Sequence, residues 1–146
     1  VTAVDVAEAL CARWEGFRSA PYLCPAGVPT IGYGFTHYEN GTAVTLLDAP
    51  MTRETANRLL ARLILAQYMP TVRRLCHGIV TDEQLGAITD FCFNLGASNL
   101  RASTLRKKIN AGDWDEVPEQ LRRWTRAGGR VLRGLVLRRE AEIEYV

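Results

Sequence analysis

The sequence predicts an α+β fold in which a small sheet comes early and helices follow, and three observations lead there. Apolar residues recur at helical spacing near the N-terminus and again after residue 52. Between them, Pro21 to Leu47 has the Gly, Pro, Thr, Tyr, Ile and Val texture of short strands joined by turns. No internal repeat or Gly/Ser linker divides the chain, so its 146 residues are expected to form one domain, 1–146. Its parts are a sheet lobe over about 15–50, a connecting helix over 52–75 and a helical lobe over 76–146.

The first helix is expected from about Ala3 to Trp14, with Val4, Ala7, Leu10, Cys11 and Trp14 on its buried face, and Glu15 falls at its C-terminal end. In the sheet lobe, Asn40-Gly41 predicts a hairpin turn between a strand near Thr30 to Phe35 and one near Ala43 to Leu46. Thr52 can cap the connecting helix, which Pro70 kinks or ends. Thr81-Asp82-Glu83-Gln84 has the form of a capping box, and the helix it opens buries Leu85, Ile88, Phe91, Cys92 and Leu95 before stopping at Gly96. Two or three more helices are expected: Ser103 to Asn110, Asp115 to Trp124, and Leu135 to about Tyr145.

With 47% hydrophobic and 23% charged residues, composition excludes a disordered or fibrous chain. No apolar run approaches the roughly 20 residues of a spanning helix, so no stable membrane association is expected within these residues. The first residue is Val1, which is compatible with a signal-anchor segment upstream. Cys11, Cys24, Cys76 and Cys92 lack paired C-x-x-C spacing, and neither His37 nor His77 has ligand spacing with them, so no metal site or cofactor is implied. Four cysteines allow three disulfide connectivities, which stay open, although Cys11 and Cys92 fit as small buried hydrophobes.

The net charge is only +2, but Lys and Arg outnumber Asp and Glu by 11 to 4 between Arg101 and Arg139. Such a patch suits a polyanion. The arginines from Arg122 to Arg139 are interrupted by Trp124, Val131, Leu132, Leu135 and Leu137, the pattern of an amphipathic helix with solvated charges. No nucleic-acid motif accompanies them, and no nucleic-acid partner is expected.

The most informative stretch is Trp14-Glu15-Gly16-Phe17 followed by Tyr22 to Gly34, which sets a carboxyl group at a helix end beside glycine-rich strands. From residue type alone, Glu15 could equally be a solvated helix-end carboxylate. The spacing of Glu15, then Cys24, then Thr30, with the stretch Gly27-Val28-Pro29-Thr30-Ile31-Gly32-Tyr33-Gly34, resembles the signature of the phage lysozyme family, glycoside hydrolase family 24. Phe91-Cys92-Phe93-Asn94-Leu95-Gly96, Ser103-Thr104-Leu105, Asn110-Ala111-Gly112-Asp113 and the Arg138-Arg139-x-x-Glu142 ending are similar to its helical-lobe motifs.

That resemblance implies a lysozyme-like two-lobed fold with the substrate cleft between the lobes. It further implies a monomeric endolysin, a muramidase acting on bacterial peptidoglycan and held in the host cytoplasm until lysis. Glycoside cleavage needs an acid for the leaving oxygen and a second group that activates water or stabilises the anomeric carbon. Glu15 matches the acid position; to serve, it must carry a proton when substrate is bound, which burial favours and a nearby arginine opposes. Arg138 or Arg139 is implied as the partner that orients it.

Cys24 stands where many members have Asp. A thiol, with an ordinary pKa of about 8.5, could attack as thiolate, help hold water, or be inert. Attack would retain anomeric configuration and assisted water would invert it; assistance together with Thr30 is the favoured expectation. An inactive, wall-binding protein is the alternative raised by the missing Asp. Tyr33, Phe35, Asn94 and Ser103 are expected wall-binding residues, since sugars offer apolar faces and hydroxyl edges. Phe35 falls where relatives often have His, and His37 follows two places on. Trp114 and Trp124 read as packing residues.

Overall fold

A computed structural model describes residues Val1–Val146. Helix α1 (Ala3–Glu15) is opened by a capping box between Thr2 and Asp5 and closed at Gly16, which leaves Glu15 as its last residue. Strand β1 (Arg18–Leu23) then pairs antiparallel with β2 (Pro29–Gly32), with Tyr22 opposite Thr30 and Leu23 opposite Pro29. The hairpin of the sheet lobe is therefore turned at Cys24 to Val28, not at Asn40-Gly41. The chain does turn at Asn40, whose Oδ1 accepts from the Thr42 N–H at 2.9 Å, but only a single bridge, His37 to Ala43, flanks it. The strand expected over Ala43 to Leu46 is absent as a regular element because Thr45, Leu46 and Leu47 are exposed, with no neighbouring strand to pair with.

The connector begins at α2 (Arg53–Leu63), where the Thr52 hydroxyl accepts from the Thr55 N–H. A π-helical turn (Ile64–Tyr68) joins it without a break to α3 (Met69–Leu75). Pro70 thus does not end the helix: it occupies the first turn of α3, directly after the π-helical turn.

In the helical lobe, α4 (Asp82–Leu95) starts at the Thr81–Gln84 capping box and stops at Gly96. Two short helices follow, α5 (Ala97–Ala102) and α6 (Thr104–Asn110), the first of them too short to show a periodicity. A 3-10 turn (Trp114–Glu116) and α7 (Val117–Arg122) come next. Gly128-Gly129 forms the tip of a minimal hairpin, β3 (Arg126–Ala127) with β4 (Arg130–Val131), ahead of α8 (Arg133–Ile143).

A core of 25 buried residues runs through both lobes, from Ile31, Tyr33 and Phe35 through Leu60 and Ile64 to Phe91, Leu105 and Leu121. Trp124 packs edge-on against Phe91 with ring centroids 5.5 Å apart, and the Trp114 indole N–H donates to the Gly78 carbonyl at 3.0 Å, so both tryptophans are packing residues. Helices α1 and α4 lie unusually close: a Cβ at Gly86 would stand 2.5 Å from the Val6 Cβ. All four cysteines are free, with Cys11, Cys76 and Cys92 buried and Cys24 partly exposed. No helix is long and apolar enough to cross a membrane.

Candidate active site

Glu15 reaches the site because α1 ends one residue before Gly16, and its carboxyl remains 22% exposed. Its Oε2 accepts from Arg138 Nη1 at 2.6 Å, while Oε1 faces the loop after β2. There Gly34, at φ +81°, comes so close that a Cβ on it would lie 3.3 Å from Oε1. Both the backbone angle and the proximity require glycine at this position.

Gly34 also lines a cleft of about 340 Å³ between the lobes, walled by Phe35 and His37 on one side and by Leu63, Tyr68 and Phe93 on the other. A larger groove of about 910 Å³ lies between Tyr38, Glu39, Asn40 and the exposed face of α2. The carboxylate there is already engaged, since Arg62 Nη1 donates to both oxygens of Glu39 at 2.8 and 2.6 Å. Glu15 adjoins the smaller cleft through Gly34.

Behind Glu15 the polar groups are buried. Arg138 is held by Asp90 of α4 through two further bonds, Nε to Oδ2 at 3.0 Å and Nη2 to Oδ1 at 2.7 Å. Burial opposes the charge on Asp90, but the Arg138 bonds and charge outweigh it and hold the carboxyl below its usual range. The Cys11 thiol donates to Asp90 Oδ1 at 3.2 Å, and burial followed by the Asp90 charge pushes that thiol up. Glu142, fully buried, accepts from Arg139 Nη2 at 2.7 Å, and its other oxygen has no hydrogen-bond partner. Burial first, and the charge of Asp90 second, push it well above the usual carboxylate range.

Of the two arginines expected near Glu15, Arg138 is the one that reaches it. Arg139, one helical step of about 100° away, faces the opposite side and donates to Asn94 Oδ1 at 2.9 Å and to Glu142. The role expected of Arg139 is thus a correction forced by helix geometry.

Cys24 and Thr30 come together on the β1–β2 hairpin. The backbone N–H groups of Val28 and then Ala26 hold the Cys24 thiol below its ordinary range. Thr30 is 3% exposed and donates from Oγ1 to the Val28 carbonyl at 2.8 Å.

The expected wall-binding residues divide. Phe35 lines the cleft although its ring is largely buried. Tyr33 is 2% exposed and its hydroxyl donates to Asn57 Oδ1 at 2.7 Å, so it ties the sheet lobe to α2 instead of meeting substrate. Ser103 is the N-cap of α6, accepting from the Arg106 N–H at 3.0 Å and donating to the Leu100 carbonyl. Asn94 is partly exposed but its carbonyl is taken by Arg139. Asp90, which sequence reading passed over, had a signal: a carboxylate on the apolar face between Ala87 and Phe91 has to find a cation.

Comparison with known proteins finds relatives over most of the chain. Residues 12–142 match the family described as phage lysozyme. The SAR-endolysin of Bacteriophage PS119 is 36% identical over 132 residues, covering 88% of this chain and 73% of its own. An endolysin from the Escherichia coli O157:H7 phage FAHEc1 superposes with a TM-score of 0.81 at 25% identity, over 98% of this chain and 89% of that one. The muramidase domain of SpmX from Asticaccaulis excentricus gives 0.80 at 30% identity, over 95% and 92%.

Proposed function

The chain belongs to the phage lysozyme family, and from that premise we propose that this lytic peptidoglycan hydrolase cleaves the β-1,4 bond between N-acetylmuramic acid and N-acetylglucosamine with Glu15 as general acid. One observation carries the assignment. Glu15 is a partly exposed carboxyl beside Gly34, a residue that lines the cleft between the two lobes, with one oxygen fixed by Arg138 and the other facing that glycine.

In the first part of the reaction the Glu15 proton passes to the glycosidic oxygen as the bond to the anomeric carbon breaks, leaving positive charge on that carbon. Because Arg138 occupies Oε2, Oε1, which faces Gly34, is the oxygen left to deliver the proton. A water then attacks the anomeric carbon. Thr30 spends its only hydroxyl proton on Val28, which leaves its lone pairs to accept from that water. Cys24, whose thiol the hairpin amides hold below its ordinary range, is when ionised a second acceptor for the same water and takes its proton, which solvent then exchanges as Glu15 is reprotonated. Water attack from the face opposite the leaving group inverts configuration; direct attack by the Cys24 thiolate would retain it. Phe35 and Tyr68 offer aromatic surface along the cleft. The protein acts on the cell wall, and we place its release onto that wall at host lysis.

The test is to digest purified peptidoglycan with the protein and with Glu15→Gln, then identify the new ends by mass spectrometry. Reducing N-acetylmuramic acid ends from the unaltered protein, and a loss of about a hundredfold or more in the variant, are expected. Anhydro ends would reassign the chain as a transglycosylase. No soluble product from folded protein would turn the reading to wall binding alone.

A further inference from the structure

Asp90 takes no part in the scheme above, yet it is a fully buried carboxylate that accepts two of Arg138's three hydrogen bonds to acids. The third goes to Glu15 at 2.6 Å, so one guanidinium joins a buried carboxylate to the proposed catalytic one. A family ion pair between the arginine and Glu15 does not by itself require a second acid. That acid poses a question of charge.

An arginine locked onto a general acid would hold that acid ionised and so remove the proton the reaction needs. The groups that face Arg138 and Glu15 come from four elements. From α1 comes Cys11, from the π turn Tyr68, from α4 Asp90 and Cys92, and from α8 Arg139 and Glu142. Burial keeps the two thiols and the phenol in their neutral forms, and Glu142 is favoured neutral as well. Arg139 is turned toward Asn94 and Glu142. Asp90 is then the charge that meets Arg138 directly. With Asp90 ionised, Arg138 is already matched, and the pair they form presents no net charge to protonated Glu15. With Asp90 absent, the same protonated Glu15 would leave Arg138 as an uncompensated buried cation, and ionised Glu15 would be the favoured form.

Resting on the reading of Glu15 as the acid, we propose that Asp90 is a positioning residue that cancels the charge of Arg138, so that the guanidinium can orient Glu15 without stripping its proton. The shape of the contact and its charge are separable by substitution, because Asp90→Asn keeps one acceptor in place while removing the negative charge.

The experiment is to measure kcat and KM against pH, from about 5 to about 9, for the unaltered protein, for Asp90→Asn, and for Asp90→Asn in a Glu142→Gln background. The double substitution prevents Glu142 from ionising to replace the lost charge. The alkaline limb of kcat is expected to move to lower pH by about one unit or more, giving roughly a tenfold loss near neutrality that is recovered in acid, with KM changed less than about twofold. A loss equal at every pH, or an alkaline limb that stays put, overturns the proposal and leaves Asp90 as a structural residue. If the variants do not fold, carboxyl carbon NMR on the unaltered protein decides: Asp90 must stay ionised throughout the active range, and a proton on it there overturns the idea. An unaltered protein that releases no reducing ends sinks the muramidase reading, whereas an active one with an unmoved limb sinks the role of Asp90 alone.

Discussion

Arg138 Nη1 and Glu15 Oε2 meet at 2.6 Å across 123 positions of sequence, so the last residue of the first helix is oriented by the last helix of the chain. The contact couples folding to catalysis, because the guanidinium that orients Glu15 also neutralises a carboxylate with no access to water. Arg138→Met should therefore lose on two counts. Stranding Asp90 should cost on the order of 3–5 kcal/mol of stability, read from urea denaturation. Activity of the folded fraction should fall by about a hundredfold or more as Glu15 loses its orientation. Arg138→Lys keeps the charge but not the planar fork, and should fall between the two. A Met variant as stable as the unaltered protein would mean that Asp90 is not ionised.

Cys24 should be the one thiol that reacts readily. It is partly exposed and the amides of Val28 and Ala26 favour its thiolate, whereas burial pushes Cys76 and Cys92 up to about 11 and Cys11 also upward. Limited alkylation with iodoacetamide should give a single adduct on Cys24 by peptide mass mapping. Its rate should rise through an inflection at lower pH than that of an ordinary thiol. Since the thiolate forms above that lowered value and is lost below it, an activity that depends on the thiolate should decline on the acid side. Cys24→Asp, which stays ionised at lower pH, should extend activity toward acid, and Cys24→Ala should reduce it by about tenfold or more. Equal labelling of all four thiols in native protein would contradict the burial.

How far this arrangement can be read from sequence depended on the range of the interaction. The caps at Thr52 and Thr81, and the break at Gly96, are local chemistry and lie where the residues predict. Pairing in the sheet lobe is less local. Asn40-Gly41 carries the stronger turn chemistry, yet the strands meet around Cys24 to Val28, because Arg18–Leu23 finds a partner in Pro29–Gly32 and Ala43 to Leu46 finds only the single bridge from Ala43 to His37. Motif position singled out Glu15, Cys24 and Thr30 as candidates, and no residue pattern could choose between adjacent Arg138 and Arg139 until the phase of α8 was known. Tyr33 and Ser103 look like ligand contacts by type, but their hydroxyls are committed to Asn57 and to the start of α6.

Glu142 makes a pH-dependent prediction with a definite sign. Its carboxyl is raised well above the ordinary value of about 4.3 by burial and then by Asp90. Between the unfolded and folded values the native state binds more protons than the unfolded one, so this group's contribution to stability falls as pH rises. Glu142→Gln removes that dependence. The difference in Tm, variant minus unaltered, should climb from about pH 4 toward neutrality; a difference that is flat or falls over this range would place the proton elsewhere. Asp90 acts in the opposite sense, since its folded value is lowered: its contribution is present above about 3.9 and is lost as pH falls through the folded value.

The contact between α1 and α4 holds both ends of this network, as Cys11 and Glu15 lie on one helix and Asp90 on the other. Gly86 sets their separation, for a Cβ there would press on the Val6 side chain at 2.5 Å and on the Ala3 carbonyl oxygen at 2.8 Å. Neither atom is the free end of a flexible chain, so Gly86→Ala has to push the helices apart despite the better helix propensity of Ala. It should destabilise by about 1–3 kcal/mol, and kcat should fall with it as Arg138 is drawn away from Glu15. Gly134 provides the control. It also lies within a helix, α8, but nothing stands within 4 Å of a Cβ built on it, and Gly134→Ala should be stabilising by roughly 0.4–1 kcal/mol with activity unchanged. Thermal unfolding and turbidity clearance on peptidoglycan, run on the pair, separate crowding from propensity. If both substitutions stabilise, α1 and α4 are not packed this closely, and the bond from Cys11 to Asp90 would have to be longer than 3.2 Å.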